Sequence, residues 1–256
     1  MNLIDIKERL KQGGIEDFAF EAKLIYEFTQ NNDELERIIA KRLTRYPLQY
    51  ILGEWGFYKY SFKVGEGVLI PRSDTEILVE TACKYLKTKQ NSAVLDLCAG
   101  SGCIGLSIAK DFPDSKVTLV EKSEDALKYL NQNVEFLDIK NATVIKGDIF
   151  KGDGTGCYDL IVSNPPYIPP CEMTIISPET EFEPKTALLG GEDGLKFYRA
   201  IIKNYKQFLK KGGMLAFEVG INEDKAVCEL LENAGFKNIT VTKDYNGINR
   251  VVNGGI

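Results

Sequence analysis

The sequence contains no histidine, and this absence limits the chemistry open to the protein. A chain without imidazole cannot form a Ser-His-Asp or Cys-His nucleophile, a histidine general base or a histidine-ligated metal site. Any reaction must therefore depend on carboxylates, amides, lysines, tyrosines or the positioning of the reactants.

The cysteine patterns of metal sites and disulfide frameworks are also missing. No C-x-x-C pair occurs among the six cysteines, which are Cys83, Cys98, Cys103, Cys157, Cys171 and Cys228. Several lie in apolar stretches, which predicts free thiols in a reducing compartment and no bound metal. The N-terminal residues resemble neither a signal peptide nor a transit peptide, and no apolar run is long enough to span a bilayer. We therefore expect a cytoplasmic protein with no membrane partner.

Long basic runs are absent as well. The net charge is −5, which disfavours duplex nucleic acid as a partner. Because 44% of the 256 residues are hydrophobic, the chain can form a core without a disulfide or a metal. We expect a monomer.

The N-terminal part of the chain has the pattern of helices followed by a hairpin. Apolar residues recur at helical spacing in residues 1–49, which predicts a small helical bundle. Asn32 or Asp33 is the expected cap of a helix in this bundle, and Pro47 is its expected end. Residues 50–72 are rich in glycine and aromatic residues with partial alternation, which predicts a β-hairpin linker.

Strands and helices alternate through residues 73–256, which predicts an α/β fold with a doubly wound, Rossmann-like, mostly parallel sheet. Ser73-Asp74-Thr75-Glu76 matches a capping box before the first helix. The expected strands are Ala93–Leu97, Lys116–Glu121, Ala142–Lys146, Asp159–Ser163, Gly213–Val219, Lys237–Lys243 and Ile248–Val252. The other expected helices are Cys103–Asp111, Ser123–Leu137, Gly194–Leu209 and Glu223–Ala234. Residues 168–194 show little periodicity and are expected to form a loop over the site.

A glycine-containing turn follows the first of these strands. Cys98-Ala99-Gly100-Ser101-Gly102 leads into a helix, and its glycines let the backbone approach a ligand closely. Asp96, inside the strand, is expected to steady the turn or to contact the amino group of the ligand. Glu121 ends the next strand, where a carboxylate can accept both ribose hydroxyls of a nucleoside. Asp148 and Ile149 follow the third strand and suit an adenine amine and ring.

The turn Asn164-Pro165-Pro166-Tyr167 directly follows a later strand. Its two prolines end that strand and give a stiff turn at the carboxyl edge of the sheet, where open α/β sheets bind ligands. The Asn164 Oδ1 and the Pro165 carbonyl can accept both hydrogens of a planar NH2 group, while Tyr167 covers its flat face. These three are the candidate catalytic residues, and Asn164 is also expected to contact the cofactor. A proline-rich loop that leaves the sheet is the structural alternative.

Two kinds of cofactor suit these residues. The pattern Gly100-x-Gly102-x-x-Gly105 matches a dinucleotide fingerprint, which is weak by itself. Asp96 beside the glycine turn, and an Asn-Pro-Pro-Tyr turn that has no part in hydride transfer, favour S-adenosylmethionine over NAD.

Together these residues resemble the class-one S-adenosylmethionine methyltransferases with an N-P-P-Y motif. More narrowly, the chain resembles the HemK/PrmC family, which methylates a glutamine in peptide-chain release factors. The resemblance covers nearly the whole chain, with matching blocks at residues 47–54, 69–76, 163–168, 182–184 with 186–188, and 249–251. The first two blocks are the specific ones, since unrelated N-P-P-Y enzymes lack them.

The resemblance implies a helical domain in residues 1–49 that binds the release factor, a linker in residues 50–72, and a catalytic domain in residues 73–256 whose last strand is antiparallel. It implies methyl transfer from S-adenosyl-L-methionine to the glutamine side-chain amide nitrogen of the Gly-Gly-Gln motif. The residues expected to bind the substrate are Arg72, Asn164, Pro165, Pro166 and Tyr167.

Two residues depart from the family pattern. Cys98 replaces a usual glycine, so we expect a looser approach of the backbone there, and Glu121 replaces a common aspartate. Arg72 and Glu183, both in matched blocks, either contact the substrate or brace the loop.

Other functions suit parts of the same pattern. A DNA adenine amino methyltransferase would present the same NH2 group to the same turn. A non-catalytic S-adenosylmethionine-binding or translation-factor-binding module and an NAD-dependent oxidoreductase are further alternatives.

Overall fold

The computed structural model describes residues 1–153, 156–173 and 177–256. The chain begins with four helices, α1 (Leu3–Gln12), α2 (Phe18–Phe28), α3 (Asn32–Leu43) and the short α4 (Leu48–Leu52). Their apolar faces meet in one buried cluster, which confirms the helical bundle. Burial of this shared face stabilises helices that are too short to persist alone.

The predicted ends of the third helix are wrong. Asn31, rather than Asn32 or Asp33, is the cap, because its Oδ1 accepts hydrogen bonds from the backbone N–H groups of Asp33 and Glu34. The helix ends at Leu43, and Pro47 instead precedes α4, where its missing N–H costs nothing.

An antiparallel hairpin follows α4, as predicted. Its strands are β1 (Glu54–Phe57) and β2 (Tyr60–Lys63), in the register Glu54 to Lys63. Residue 49 lies inside α4, so the expected boundary between the helical domain and the linker falls within a helix. The division of the chain into three domains stays a prediction.

The rest of the chain forms a seven-stranded sheet covered by helices on both faces. In chain order the strands are β3 (Ala93–Leu97), β4 (Lys116–Glu121), β5 (Ala142–Lys146), β6 (Tyr158–Ser163), β7 (Leu209–Glu218), β8 (Lys237–Lys243) and β9 (Asn249–Gly255). The helices are α5 (Glu76–Leu86), α6 (Cys103–Asp111), α7 (Glu124–Phe136), α8 (Lys196–Tyr205) and α9 (Asp224–Asn233).

The strand order is β5-β4-β3-β6-β7-β9-β8. The first five strands in this order are parallel, and β9 runs antiparallel to both of its neighbours. The predicted fold class is therefore confirmed. The chain reverses its direction of travel across the sheet between β3 and β6, and such a switch point opens a crevice for ligands at the carboxyl ends of the strands.

Side chains that alternate along the strands form a separate core on each face of the sheet. Val94 and Leu160 pack with α5, α6 and α7, whereas Leu95 and Ile161 pack with α8 and α9. Strands buried on both faces read as continuous apolar runs, which is why their positions were predictable.

The largest difference in strand bounds is at β7, which begins at Leu209 instead of Gly213. Its early residues are held because the Gly212 N–H donates to the Ile256 carbonyl and the Gly213 carbonyl accepts from the Ile256 N–H. Consequently α8 ends at Tyr205, short of the predicted end at Leu209.

The predicted capping box at residues 73–76 is wrong. Ser73–Thr75 form a 3-10 turn before α5, and no side chain caps that helix. The Glu76 carboxylate instead accepts a hydrogen bond from the backbone N–H of Tyr58 in the hairpin, at 3.0 Å. Glu76 therefore contacts the hairpin instead of capping its own helix. Thr75 faces the carboxyl edge of the sheet.

The described residues between β6 and α8 form turns and short 3-10 helices, as expected for a loop, with the 3-10 helices at Pro170–Glu172, Pro178–Phe182 and Lys185–Ala187. Residues 174–176 of the predicted loop lie outside the described residues. Within the described ranges, no helix has both the length and the apolar character needed to cross a membrane.

Candidate active site

A cavity of about 620 Å³ lies at the carboxyl ends of β3, β4 and β6. Most of the sequence-predicted site residues line it, namely Arg72, Cys98, Ala99, Gly100, Ser101, Glu121, Asp148, Ile149, Asn164 and Pro166. The other predicted residues, Asp96, Gly102, Pro165 and Tyr167, do not line it. The loop contributes residues 184–187 and 189 to the lining, and its expected position over the site stays a prediction.

The turn after β3 has a backbone that brings main-chain atoms to the cavity. Cys98, Gly100 and Gly102 all have positive φ, at +61°, +56° and +81°. A Cβ at Gly100 would meet no atom within 4 Å, so this position opens on the cavity and suits the close approach of a ligand. Burial raises the pKa of the Cys98 thiol, and the neighbouring Glu121 adds to the effect.

Asp96 is fully buried beneath this turn. Its Oδ2 accepts the backbone N–H of Gly105 at 2.8 Å and so holds the first turn of α6 against β3. Its Oδ1 has no hydrogen-bond partner among the described residues. Burial raises the pKa of Asp96 to about 7 against the opposing hydrogen bond from Gly105. The bracing role is therefore seen directly, and contact with the cofactor stays a prediction.

Glu121 connects the end of β4 to the glycine turn. Its Oε2 accepts the Gly100 N–H at 2.8 Å, and its Oε1 accepts the N–H groups of Lys122 and Ser123, each at 2.7 Å. Each carboxylate oxygen can accept more than one hydrogen bond, so the side chain keeps acceptor capacity toward the cavity.

Ile149, Phe150 and Phe197 give part of the cavity an apolar surface. Ile149 is buried there, and the rings of Phe150 and Phe197 meet edge to face with centroids 5.1 Å apart. Asp148 accepts the Phe150 N–H at 3.0 Å and pairs with Lys122 at 3.0 Å, and these contacts lower the pKa of Asp148. Such a surface beside a carboxylate fits an adenine ring and its amine.

The Asn-Pro-Pro-Tyr turn presents Asn164 to the cavity in a fixed orientation. The Asn164 Nδ2 donates to the Thr75 Oγ1 at 3.2 Å, so the Oδ1 is the amide atom left to accept from a ligand. Pro165 is buried and Pro166 borders the cavity.

Tyr167 lies behind this turn, away from the cavity. Its hydroxyl donates to the Glu218 Oε1 at 3.4 Å, and burial followed by the charge of Glu218 raises its pKa. Gly190 and Gly220 lie so close to it that a Cβ on either would come within 3.0 Å of Tyr167 atoms. The expectation that Tyr167 covers the flat face of a bound amide stays a prediction.

Arg72 and Glu183 form an ion pair at the rim of the cavity. The second oxygen of the buried Glu183 accepts the Ile70 N–H at 3.0 Å. Glu183 therefore braces the segment before α5 against the loop. Arg72 is partly exposed and lines the cavity, and its contact with substrate stays a prediction.

Sequence reasoning missed several residues of this site. Phe197 and Lys196 line the cavity from the start of α8, Thr75 lines it beside Asn164, and Glu218 lies behind Thr75. Glu218 ends β7, the same place that Glu121 occupies in β4, but this position alone does not reveal its contact with Tyr167.

Residues 73–175 match the family described as "Methyltransferase small domain". A release factor glutamine methyltransferase of Thermodesulfovibrio yellowstonii is 43% identical, over 85% of this chain and 79% of its own. One of Geobacter sulfurreducens is 42% identical, over 86% and 76%. The chain belongs to the release factor glutamine methyltransferase family. Its methyl donor is S-adenosyl-L-methionine.

Solved structures share the fold of this methyltransferase. A 16S rRNA N2 G1207 methyltransferase of T. Thermophilus, in complex with AdoMet and guanosine, superposes with a TM-score of 0.59 at 19% identity, over 79% of this chain and 49% of that one. A methyltransferase from Pyrococcus furiosus gives 0.52 at 21% identity, over 69% and 82%. These likenesses concern the fold alone.

Proposed function

We propose that this protein methylates the side-chain amide nitrogen of the glutamine in the Gly-Gly-Gln motif of a peptide-chain release factor. The observation that carries the proposal is the orientation of Asn164, whose Nδ2 is committed to Thr75 and whose Oδ1 is left to accept a hydrogen bond at the cavity. The named activity of relatives 42–43% identical to this chain supports the choice of substrate.

The cavity residues fit the methyl donor, which supplies a methyl group on a sulfonium when bound. Glu121 would accept the ribose hydroxyls, and Gly100 lets the main chain pass close by. Asp148 would accept from the adenine amine while Ile149 and Phe150 pack on its ring.

The chemical difficulty lies in the acceptor. An amide nitrogen is a poor nucleophile because its lone pair is delocalised into the carbonyl. The Asn164 Oδ1 and the Pro165 carbonyl would accept its two N–H groups and favour charge on the nitrogen. Because the prolines fix the turn in advance, little ordering is needed when the substrate binds. Pro166 and Arg72 border the cavity where the glutamine side chain would enter.

No general base is required in this scheme. The nitrogen forms its bond to the methyl carbon as the bond from that carbon to sulfur breaks, and one amide proton then leaves to water. This order suits a chain without histidine.

The proposal is tested by offering labelled S-adenosylmethionine with a purified release factor, with the same factor carrying Gln→Asn in its Gly-Gly-Gln motif, and with duplex DNA. Peptide mass mapping should place one methyl group on the motif glutamine of the unmodified factor. The Gln→Asn factor and the duplex DNA should take up no label. Label in DNA adenine would instead support the amino methyltransferase alternative and overturn the choice of substrate.

Asn164→Ala should lower the methylation rate by at least a hundredfold, because the preset acceptor of the substrate amide is gone. Cofactor binding, measured by calorimetry with S-adenosylhomocysteine, should remain measurable, since the other expected cofactor contacts are kept. Asn131→Ala is the matched control, since Asn131 bonds its own helix at the Leu127 carbonyl. A rate near that of the unmodified protein in Asn164→Ala would contradict the role given to this amide.

A further inference from the structure

A buried carboxyl group stands directly behind the catalytic turn and has no part in the scheme above. Glu218 ends β7 and is 1% exposed. Its Oε1 accepts the Tyr167 hydroxyl at 3.4 Å, and its Oε2 has no hydrogen-bond partner among the described residues. A buried polar atom without a partner is costly, so its retention here calls for a reason.

Thr75 lies between this carboxyl group and Asn164. Its Oγ1 accepts the Asn164 Nδ2 at 3.2 Å, and its side chain is next to the Glu218 carboxyl group. Thr75 is 2% exposed and still has one hydroxyl hydrogen to donate. The buried Thr75 hydroxyl and the buried Glu218 carboxyl group therefore stand side by side as a donor and an acceptor.

The direction of the hydrogen bonds from Glu218 through Thr75 to Asn164 decides which atom of the Asn164 amide faces the cavity. An ionised carboxylate can only accept, so it makes the Thr75 hydroxyl donate to it. The Thr75 oxygen must then accept from Asn164, which turns Nδ2 inward and Oδ1 to the cavity. A protonated carboxyl group can donate to Thr75, and the Thr75 hydroxyl is then free to donate to Oδ1, which turns the amide over.

We propose that Glu218 is a positioning residue that sets the orientation of the Asn164 amide through Thr75, and that the protein is active when Glu218 is ionised and inactive when it is protonated. This inference rests on the proposed function, in which Asn164 Oδ1 accepts from the substrate amide. The inference adds that the protonation state of Glu218 decides whether Asn164 Oδ1 faces the cavity.

The surroundings place the titration of Glu218 near neutral pH. Burial raises its pKa to about 7, the Thr75 hydroxyl and the charge of Arg250 oppose the rise, and Asp74 adds to it. The ionisable groups that face Glu218 from the neighbouring elements are Asp74, Cys103, Tyr167, Tyr198 and Arg250. Arg250 is itself engaged by Asp74 at 3.0 Å and Asp244 at 3.3 Å, which limits how far it neutralises Glu218.

The test is the pH profile of single-turnover methylation of the release factor at saturating cofactor. In the unmodified protein the rate should rise with pH to a plateau with a midpoint near 7, falling about tenfold per pH unit below it. Glu218→Gln should remove this rise of the rate with pH. The glutamine amide does not titrate and can turn either its oxygen or its NH2 group toward Thr75 at every pH. A Glu218→Gln profile with an unchanged midpoint would overturn the proposal.

Two variants at Thr75 separate positioning from a general structural effect. Thr75→Ser keeps the hydroxyl and should keep the pH step, whereas Thr75→Val removes the relay and should lose both the step and most of the rate. Glu223→Gln is the matched control, since Glu223 is a nearby acid that bonds Tyr198 and Gly220 instead of Thr75. Its profile should keep the step.

Asp96 also has a pKa raised to about 7, and its titration must be distinguished from that of Glu218. Asp96 supports the cofactor turn, so its titration should appear in the affinity for S-adenosylhomocysteine measured at each pH. Difference infrared spectra of the carboxyl band, compared between the unmodified protein and Glu218→Gln, locate the Glu218 midpoint without any turnover. A Glu218 carboxyl that stays in one protonation state across the step would also overturn the proposal. Failure to methylate the motif glutamine at any pH would instead refute the proposed function.

Discussion

Cys98 occupies a backbone conformation that favours glycine. Its φ is +61°, in the left-handed region, where a Cβ meets the following carbonyl oxygen at a cost of about 1–2 kcal/mol. Cys98 stands where the family pattern usually has glycine, and the turn keeps the backbone conformation that glycine adopts freely. Cys98 is therefore strained at this position.

Cys98→Gly should be more stable than Cys98→Ala by about 1 kcal/mol, because both remove the thiol but only glycine removes the strain. At an ordinary φ the order would be reversed, since glycine costs roughly 0.5–1 kcal/mol relative to alanine. The free energy of unfolding of the two variants, measured in urea, checks this. Ala99→Gly is the control and should lower the free energy of unfolding.

Residue-level prediction from the sequence located residues that line the cavity where they lie in a continuous motif. Asn164 and Glu121 could be found because Asn164 directly follows a recognisable strand and Glu121 ends one. Thr75 and Glu218 could not, because their importance comes from distant residues that only the folded sheet brings together. The orientation of Tyr167 depends on packing against Gly190 and Gly220, which no local pattern reveals.

A cluster of charges joins the helical bundle to the loop beside the active site. Glu179 in the loop pairs with Arg42 and Arg45 near the end of α3, each at 2.9 Å, and Arg42 also pairs with Glu21 at 2.6 Å. Burial alone would raise the pKa of Glu179, but hydrogen bonds from Ser177 and Arg42 hold it below its usual value. The cluster therefore places the N-terminal helices at a fixed position beside the loop.

Glu179→Gln should lower the free energy of unfolding by about 1–3 kcal/mol, because it leaves the buried Arg42 with one charged partner fewer. We also expect a higher KM for the release factor, since the loop loses its tie to the helices, with little change in cofactor affinity. Glu36→Gln is the control. It removes an exposed pair with Arg9 inside the bundle and should change stability by less than about 0.5 kcal/mol. Equal effects of the two variants would argue against a special role for Glu179.

At the scale of elements, the order and type of nearly every strand and helix could be predicted. Strands buried on both faces have an unambiguous apolar signal, and helices between them follow from it. The errors fell at the ends, where the outcome depends on contacts remote in sequence. Glu76 meets Tyr58 of the hairpin instead of capping its own helix, and β7 is extended by pairing with Ile256.

Two buried acids give the whole molecule an unusual dependence on pH. The pKa values of Asp96 and Glu218 are both raised to about 7 by burial, from about 4 in an unfolded chain. The folded state therefore binds more protons than the unfolded state between these values. The stabilising contribution of each group is complete below about pH 4 and is lost as pH rises to about 7.

The free energy of unfolding should fall as pH rises from about 5 to about 7, by up to roughly 1.4 kcal/mol per pH unit for each acid, and then level off. Asp96→Asn and Glu218→Gln should each reduce this slope. Urea unfolding at a series of pH values is the measurement. A free energy of unfolding that rises through this range would contradict the raised pKa values. Since methylation is expected to increase over the same interval, the conditions of best activity and of greatest stability should differ.

The position of β9 constrains how the protein can be made. It is the last strand of the sheet in chain order, yet it lies between β7 and β8, and it carries Arg250 to within 3.0 Å of Asp74 beside Thr75. Until β9 leaves the ribosome, β8 has no partner in the sheet and β7 keeps an open edge. Force measurements on stalled nascent chains of increasing length should therefore show the final folding step only after Asn249–Gly255 have emerged. A nascent chain that lacks Asn249–Gly255 therefore also lacks the Arg250 partner of Asp74 beside Thr75.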